Sequence, residues 1–217
     1  MNRRLTALQA FLRVELPPAP ARVLEIGCGE GELASALAED GYRVVAIDPD
    51  APHGSIFRSI ALEDFSTADG FDAVVASVSL HHVDDLELAL DKVAGLLLPA
   101  GILVLEEFAK ERLAGPTAGW YYHQRRAAAA IGRSESAVAH DFETWQRELT
   151  DNLADVHPFA DVRRSLEGRF VERHFAWTPY LYSYLLDDAL EPVERELIES
   201  GEIAATGVRY VGVARAR

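Results

Sequence analysis

The chain has 217 residues, 49% of them hydrophobic, which is enough for one packed α/β domain and excludes a disordered protein. The 35 acidic and 21 basic residues give a net charge of −14, and both the first 110 residues and the remainder are negative, so a nucleic-acid substrate is not expected. The single cysteine excludes an internal disulfide framework and suits a reducing cytoplasm.

The N-terminal segment "MNRRLTALQAFLRVELPPAPA" predicts a short amphipathic helix, because its charges and prolines interrupt the apolar core that a signal peptide needs. No later apolar run reaches the roughly 20 residues that cross a bilayer. We therefore expect a cytoplasmic protein that makes no membrane contact. No feature of the sequence indicates an oligomeric state.

Predicted strands and helices alternate through the next part of the chain. The strands are "ARVLEIG", "YRVVAIDPD", "IFRSIAL", "FDAVVASVS" and "GILVLEEF", with the helix "GELASALAEDG" after the first and "DDLELALDKVAGLLLP" before the fifth. Such apolar strands between helices are typical of a parallel sheet covered on both faces. Only "PDAPHGS" joins the second and third strands, and a whole parallel crossover needs about 10–12 residues, so we expect a tight loop there.

The pattern changes after Lys110. Residues 111–168 contain helical stretches and no convincing strand. Two late strands, "RFVERHFAWTPY" and "GVRYVGVARAR", flank a helix expected from Tyr180 to Ser200, and they predict a hairpin-like pair at one edge of the sheet. No linker marks a second domain.

A glycine-rich loop follows the first strand. In "LEIGCGEG", Gly27, Gly29 and Gly31 alternate, and a loop without Cβ atoms lets a ligand approach the backbone closely. A dinucleotide fingerprint needs a small residue where this chain has Glu32, whose carboxylate competes with a pyrophosphate for the helix N-terminus. Glu25, ahead of the loop, suits a ligand that carries an ammonium group. The loop therefore disfavours NAD and FAD and favours S-adenosylmethionine (SAM).

At this point the sequence resembles the class I SAM-dependent methyltransferases, of the small-molecule, methyltransferase-11-like type. "LEIGCGEG" is similar to the family signature E/D-x-G-x-G-x-G, "ALEDF" to the segment that holds adenine, and "SLHHVDD" with "LLPAG" to the region between the fourth and fifth strands. The resemblance covers residues 23–108. It implies a single domain of residues 1–217 with a Rossmann-like seven-stranded α/β sheet and helices on both faces. The shortened second crossover is a departure from the family, and residues 111–168, which are free of strands and rich in aromatic residues, are expected to form a helical cap inserted after strand five.

The resemblance also implies a set of cofactor contacts. Asp48, at the end of the second strand, matches the acidic residue that accepts hydrogen bonds from the ribose hydroxyls. Ala61 stands where many relatives carry an aspartate for the adenine amino group, so that role is expected at Glu63 or Asp64. Cys28 is expected to fill the loop rather than to act as a nucleophile. The full predicted set is Glu25, Gly27, Cys28, Gly29, Asp48, Pro49, Leu62, Glu63, Asp64 and Ser77.

Two adjacent histidines follow the fourth strand. His81 and His82 lack the i,i+4 spacing of a helical metal pair, and no metal site is predicted. In the resembling fold this passage runs beside the transferable methyl group, so His82 is a candidate general base. The alternative is that His82 only shapes the pocket. His81 is expected nearer the outer turn of the loop.

Aromatic residues in the predicted cap are candidates for an acceptor pocket. They are Trp120, Tyr121 and Tyr122, and His123 and His81 are placed with them; ordinary helix packing is the alternative. The predicted activity is transfer of the methyl group of SAM to a small molecule, with the nucleophilic atom unspecified. A catalytically silent SAM-binding regulatory or partner protein is the main alternative. A nucleotide-dependent oxidoreductase is a weaker one, because Glu32 counts against it.

Overall fold

The sheet has seven strands, all within the residues that the computed structural model describes: 3–132, 138–185 and 188–215. The strands are β1 (Arg22–Ile26), β2 (Arg43–Asp48), β3 (Phe57–Ser59), β4 (Phe71–Ser77), β5 (Leu97–Phe108), β6 (Phe170–Thr178) and β7 (Gly207–Ala214). Their order is β3-β2-β1-β4-β5-β7-β6. The first five in this order are parallel, and β7 is antiparallel to both of its neighbours. The predicted Rossmann-like sheet is confirmed.

Helices cover both faces of the sheet, as predicted. The helices of the described residues are α1 (Arg3–Glu15), α2 (Glu32–Glu39), α3 (Leu86–Leu96), α4 (Gly115–Ala130), α5 (Phe142–Asn152), α6 (Phe159–Glu167) and α7 (Glu191–Glu199). Apolar side chains of α1 and α2 pack on one face, and those of α3 and α6 pack on the other. Among these helices, none combines the length and the apolar character that a bilayer span requires.

The parallel strands end together at one edge of the sheet. Ile26, at the end of β1, pairs with Ile47 of β2 and with Ala76 of β4. Both faces of these strands are covered, and Val23 and Leu24 are fully buried, which explains why the strands are continuous apolar runs in the sequence. Ligands of open α/β sheets bind outside the carboxyl ends of the strands. This edge therefore positions the candidate site.

The connection between β2 and β3 is a tight loop, residues 49–56, with no helix in it. The amide of Ala46 donates to the carbonyl oxygen of Ile56 at 2.8 Å where the chain turns back into β3. The shortened second crossover predicted from "PDAPHGS" is confirmed.

The predicted late strand pair is confirmed, whereas the single helix predicted from Tyr180 to Ser200 is wrong. A 3-10 turn at Leu181–Tyr184 and another at Asp188–Leu190 precede α7, and residues 186 and 187 lie outside the described residues. Pro192 lies in the first turn of α7, where its missing N–H is tolerated, whereas a continuous helix would place it in the interior. The proline therefore makes a new helix begin here.

Helices α4 and α5 form a separate apolar cluster with the end of β5. Its buried members are Phe108, Leu113, Ala118, Tyr121, Tyr122, Trp145, Tyr180, Leu181 and Leu185. The third helix of the 111–168 segment, α6, packs instead in the main core, through Phe159, Val162 and Leu166. Residues 133–137 of the predicted cap lie outside the described residues.

Candidate active site

The glycine loop between β1 and α2 is fitted tightly against its neighbours. Gly27 and Gly31 have φ angles of 71° and 77°, a left-handed conformation that favours glycine. A Cβ atom on Gly27 would lie 2.4 Å from Cβ of Ser79, and one on Gly31 would lie 2.5 Å from the ring of Phe57. The loop thus needs glycine at both positions for packing. Its backbone at Gly27 borders two cavities.

Asp48 joins this loop to the end of β2. Its Oδ2 accepts a hydrogen bond from the amide of Gly29 at 3.0 Å, and its Oδ1 accepts one from the amide of Asp50 at 2.9 Å. An ionised carboxylate has about four lone-pair sites. Asp48 therefore still has acceptor capacity for a ligand.

A first cavity of about 390 Å³ lies beyond the ends of β1 and β2. The predicted cofactor residues that border it are Gly27, Asp48, Pro49, Leu62 and Glu63, together with Ser79 and His82. Asp64 is exposed and does not border this cavity. Of the two carboxylates predicted at this end, Glu63 is therefore the one that the structure places beside the cavity.

A second cavity of about 250 Å³ lies on the other side of Gly27. Glu25, Cys28, Gly29 and Ser77, all predicted site residues, border it. Glu25 is 3% exposed, and its Oε2 has no hydrogen-bond partner among the described residues. Burial, and then the charge of Asp48, raises the pKa of Glu25 to about 8. A buried carboxyl oxygen without a donor fits a site that a ligand ammonium completes.

Two further features of the second cavity concern reactivity and charge. Burial raises the pKa of the Cys28 thiol to about 12, so the thiol stays protonated at neutral pH. Arg4 of α1 also borders the cavity; its guanidinium donates to Oγ of Ser77 at 2.9 Å and pairs with Glu106. Arg4 could not be predicted from the sequence, because nothing in an amphipathic helix marks which of its charges turns inward.

A third cavity, of about 280 Å³, lies at the end of β5 beneath α4 and α5. It is lined by His81, His82, Phe108, Leu113, Tyr121, Arg125, Leu149, Asn152, Leu153, Val156, Tyr180, Leu181 and Tyr184. His82 borders both the first and the third cavity, and Gly27 borders both the first and the second. The three cavities therefore follow one another along the carboxyl edge of the sheet.

The aromatic residues predicted for an acceptor pocket do not lie together in the structure. Tyr121 lines the third cavity. Trp120 packs in the apolar cluster, and Tyr122 is buried with its hydroxyl donating to the carbonyl oxygen of His140 at 2.7 Å. His123 is exposed on α4. Successive residues of a helix face different directions, which is why one of the four reaches the cavity.

The two histidines are arranged in the opposite way to the prediction. His81, expected at the outer turn, is buried, and its Nδ1 lies 2.5 Å from Oε2 of Glu107. His82 is the exposed one, and partial burial and the neighbouring His81 lower its pKa. Both lie in a 3-10 turn, whose successive side chains point about 120° apart, so only one of them can face the core.

Glu107 was not singled out in the sequence analysis. Its Oε1 accepts hydrogen bonds from the amides of Ser79 at 3.3 Å and Leu80 at 2.9 Å. The signal was present in "GILVLEEF", since two carboxylates inside a buried strand require partners. Its neighbour Glu106 meets that requirement by pairing with Arg4 and Arg209.

Comparisons with known proteins agree with this architecture. A family model described as a methyltransferase domain matches residues 1–176. An uncharacterized methyltransferase of Mycobacterium bovis is 32% identical over 178 residues, which cover 74% of this chain and 89% of that protein.

Solved structures share the fold. A putative SAM-dependent methyltransferase from Listeria monocytogenes superposes with a TM-score of 0.61 at 15% identity, covering 99% of this chain and 100% of that one. The 1,6-didemethyltoxoflavin-N1-methyltransferase of Burkholderia thailandensis, solved with S-adenosylhomocysteine (SAH), has a TM-score of 0.56 at 15% identity, covering 99% of this chain and 78% of that one. The cofactor predicted from the glycine loop is confirmed, and the chain belongs to the SAM-dependent methyltransferases.

Proposed function

We propose that the protein transfers the methyl group of SAM to a small-molecule acceptor bound in the third cavity. The observation that carries this proposal is the sharing of His82 between the first and third cavities, since ligands bound in two adjoining cavities would lie side by side. The third cavity, at about 280 Å³, is near the lower end of the range of about 300–1,000 Å³ for ligand pockets, which suits a small acceptor. The Burkholderia neighbour, named for methylation of 1,6-didemethyltoxoflavin, supports an acceptor of this kind.

The residues around the first two cavities suit the parts of SAM. Glu25 offers an unpartnered carboxyl oxygen to the ammonium group of SAM, and the guanidinium of Arg4 borders the same cavity, where its positive charge suits the carboxylate of SAM. Asp48 keeps lone pairs for the ribose hydroxyls. Leu62 offers an apolar wall for adenine, and Glu63 borders the same cavity for the adenine amino group.

Bound SAM supplies a methyl group on a sulfonium centre, which is already a good leaving group. The protein contributes position: it holds the acceptor beside the methyl group and keeps water out of the space between them. The wall of α4 and α5 over the third cavity provides that exclusion, through Tyr121, Leu149 and Leu153.

Calorimetry and a transfer assay test the proposal together. We expect SAM and SAH to bind with low-micromolar dissociation constants, while NAD does not bind. Incubation with isotopically labelled SAM and a small-molecule extract should then move the label to a product seen by mass spectrometry. Binding of SAM without transfer to any fraction would favour a silent SAM-binding protein, and binding of NAD alone would contradict the cofactor assignment.

A further inference from the structure

A buried carboxylate–imidazole pair forms part of the wall of the third cavity. The side chains of His81 and Glu107 are 5% and 1% exposed, and Nδ1 of His81 lies 2.5 Å from Oε2 of Glu107. Among the described residues, none forms a hydrogen bond with Nε2 of His81, and the ring borders the cavity. A carboxylate that accepts the Nδ1 proton leaves the lone pair of the neutral ring on Nε2, and this ring belongs to a residue that lines the cavity.

The surroundings hold this pair in one orientation. Oε1 of Glu107 accepts hydrogen bonds from the amides of Ser79 and Leu80, so the carboxylate cannot rotate freely. The carbonyl oxygen of His81 accepts the amide of His157 at 2.9 Å, and Nε2 of His157 lies 2.8 Å from the carbonyl oxygen of Val83. His157, in the loop before α6, therefore holds the 3-10 turn that contains His81 and His82 through two hydrogen bonds.

We propose that His81 is the general base of methyl transfer and that Glu107 positions it. This inference rests on the proposed function. In the step, the O–H bond of the acceptor breaks, its proton bonds to Nε2 of His81, and the oxygen electron pair forms the bond to the methyl carbon as the carbon–sulfur pair returns to sulfur. The imidazolium that forms faces the carboxylate of Glu107, which stabilises it, and His82 remains a wall shared by two cavities.

The same geometry points to a phenol as the acceptor. Aromatic side chains of Phe108, Tyr121, Tyr180 and Tyr184 line the cavity, and the rings of Phe108 and Tyr180 are stacked with centroids 5.2 Å apart. A phenolic hydroxyl has a pKa of about 10, within a few units of imidazole at about 6.5, whereas water lies at about 15.7. Proton transfer to a neutral imidazole is most effective when the two values are close. The cavity therefore suits a single aromatic ring with a hydroxyl group.

The tautomer of His81 tests the geometry without any acceptor. Nitrogen-15 NMR of the histidine-labelled protein bound to SAH, in alkaline buffer where imidazole is neutral, should show His81 with a protonated Nδ1 and a bare Nε2. His81→Gln identifies the signal, and His123→Gln, at an exposed position of α4 outside the cavity, is the matched control that leaves it in place. A His81 ring protonated at Nε2 would overturn the proposal. Calorimetric SAH binding by each variant keeps this failure distinct from a failure of the cofactor assignment.

A coloured phenol tests the base itself. The wild-type SAH complex should bind 4-nitrophenol as its yellow anion, and His81→Gln should lower the bound anion at least tenfold, while the control His123→Gln, at an exposed position of α4 outside the cavity, keeps it. With labelled SAM and a phenol that is methylated, His81→Gln should lower turnover by about 10²–10⁴-fold. No nitrophenol binding in a complex that binds SAH normally would overturn the phenol assignment. If His82→Gln loses the bound nitrophenolate or the turnover while His81→Gln keeps them, the general base is His82 and not His81.

Glu107→Gln tests the positioning role. It should reduce the bound anion while SAH affinity stays within threefold, because the amide oxygen can still accept the amides of Ser79 and Leu80. If this variant does not fold, the NMR tautomer of His81 in the wild-type protein still decides the question, since positioning by the Glu107 carboxylate requires the proton on Nδ1. Full retention of the anion in folded Glu107→Gln would contradict the positioning role.

Discussion

At the scale of single residues, Asp48 combines a structural and a proposed binding role. Asp48→Ala removes the acceptor of the Gly29 and Asp50 amides and the acceptor that we propose for the ribose hydroxyls. Hydrogen bonds to a charged group contribute about 1.5–3 kcal/mol each, so we expect SAH affinity to fall at least about tenfold. Calorimetry measures this, with the exposed Asp64→Ala as a matched control that leaves affinity unchanged. Equal affinities for both variants would show that Asp48 does not contact the ligand.

Glu25 should couple cofactor binding to a proton. With a pKa of about 8, its carboxyl is mostly protonated at neutral pH in the free protein, and an incoming ammonium favours the carboxylate. Binding should therefore release a proton below pH 8, and affinity should rise with pH until about that value. Calorimetry in buffers of different ionisation enthalpy counts the proton, and Glu25→Gln should abolish the release.

The same residue also affects folding. Because the pKa in the folded chain lies above the ordinary value of 4.5, the free energy of unfolding should decline as pH rises from 4.5 toward about 8. That part of the decline should be missing in Glu25→Gln. A variant with the wild-type pH dependence of both binding and stability would contradict the role given to Glu25.

At the scale of elements, the turn at Leu181–Tyr184 depends on one buried carboxylate of α7. Glu194 is fully buried and accepts the amides of Tyr180, Leu181 and Tyr182 at 2.8 to 3.1 Å. Glu194→Ala leaves three amides without this acceptor, so the free energy of unfolding should fall by about 2–5 kcal/mol. Chemical denaturation measures this, with the exposed Glu196→Ala on the same helix as control. Equal stability of the two variants would contradict the capping role.

The elements also indicate what the sequence could predict. The strands β1, β2, β4 and β5 each contain a largely apolar run with a glycine or proline close to it in the sequence, so local pattern locates them. Pro192 marks the start of α7 locally, whereas the turn at Leu181–Tyr184 and the inward position of His81 depend on Glu194 and Glu107. These carboxylates lie 12 to 26 residues along the chain from the groups they bind. Likewise, a helical pattern in residues 115–130 cannot show that Tyr121 lines the cavity whereas Tyr122 packs away from it. Long-range partners decide these features.

At the scale of the whole molecule, the net charge of −14 should favour the methyl donor over the spent cofactor. SAM carries a net positive charge, with one sulfonium in excess over SAH, so the field of the protein steers it toward the site. Added salt screens that field, and we expect it to slow SAM association more than SAH association. Stopped-flow measurements with both ligands test this. An equal effect of salt on the two rates would show that net charge does not steer binding.

The order of the cavities along the edge is also an order along the chain. Residues that border the first and second cavities fall between positions 4 and 84, and those that border the third fall between 81 and 184. The proposed sites for donor and acceptor thus occupy successive lengths of polypeptide that meet at the histidine pair. If the proposed sites are right, a chimera that takes everything after residue 108 from a relative should keep the methyl donor and adopt the relative's acceptor, so that the two recognition functions could be exchanged separately.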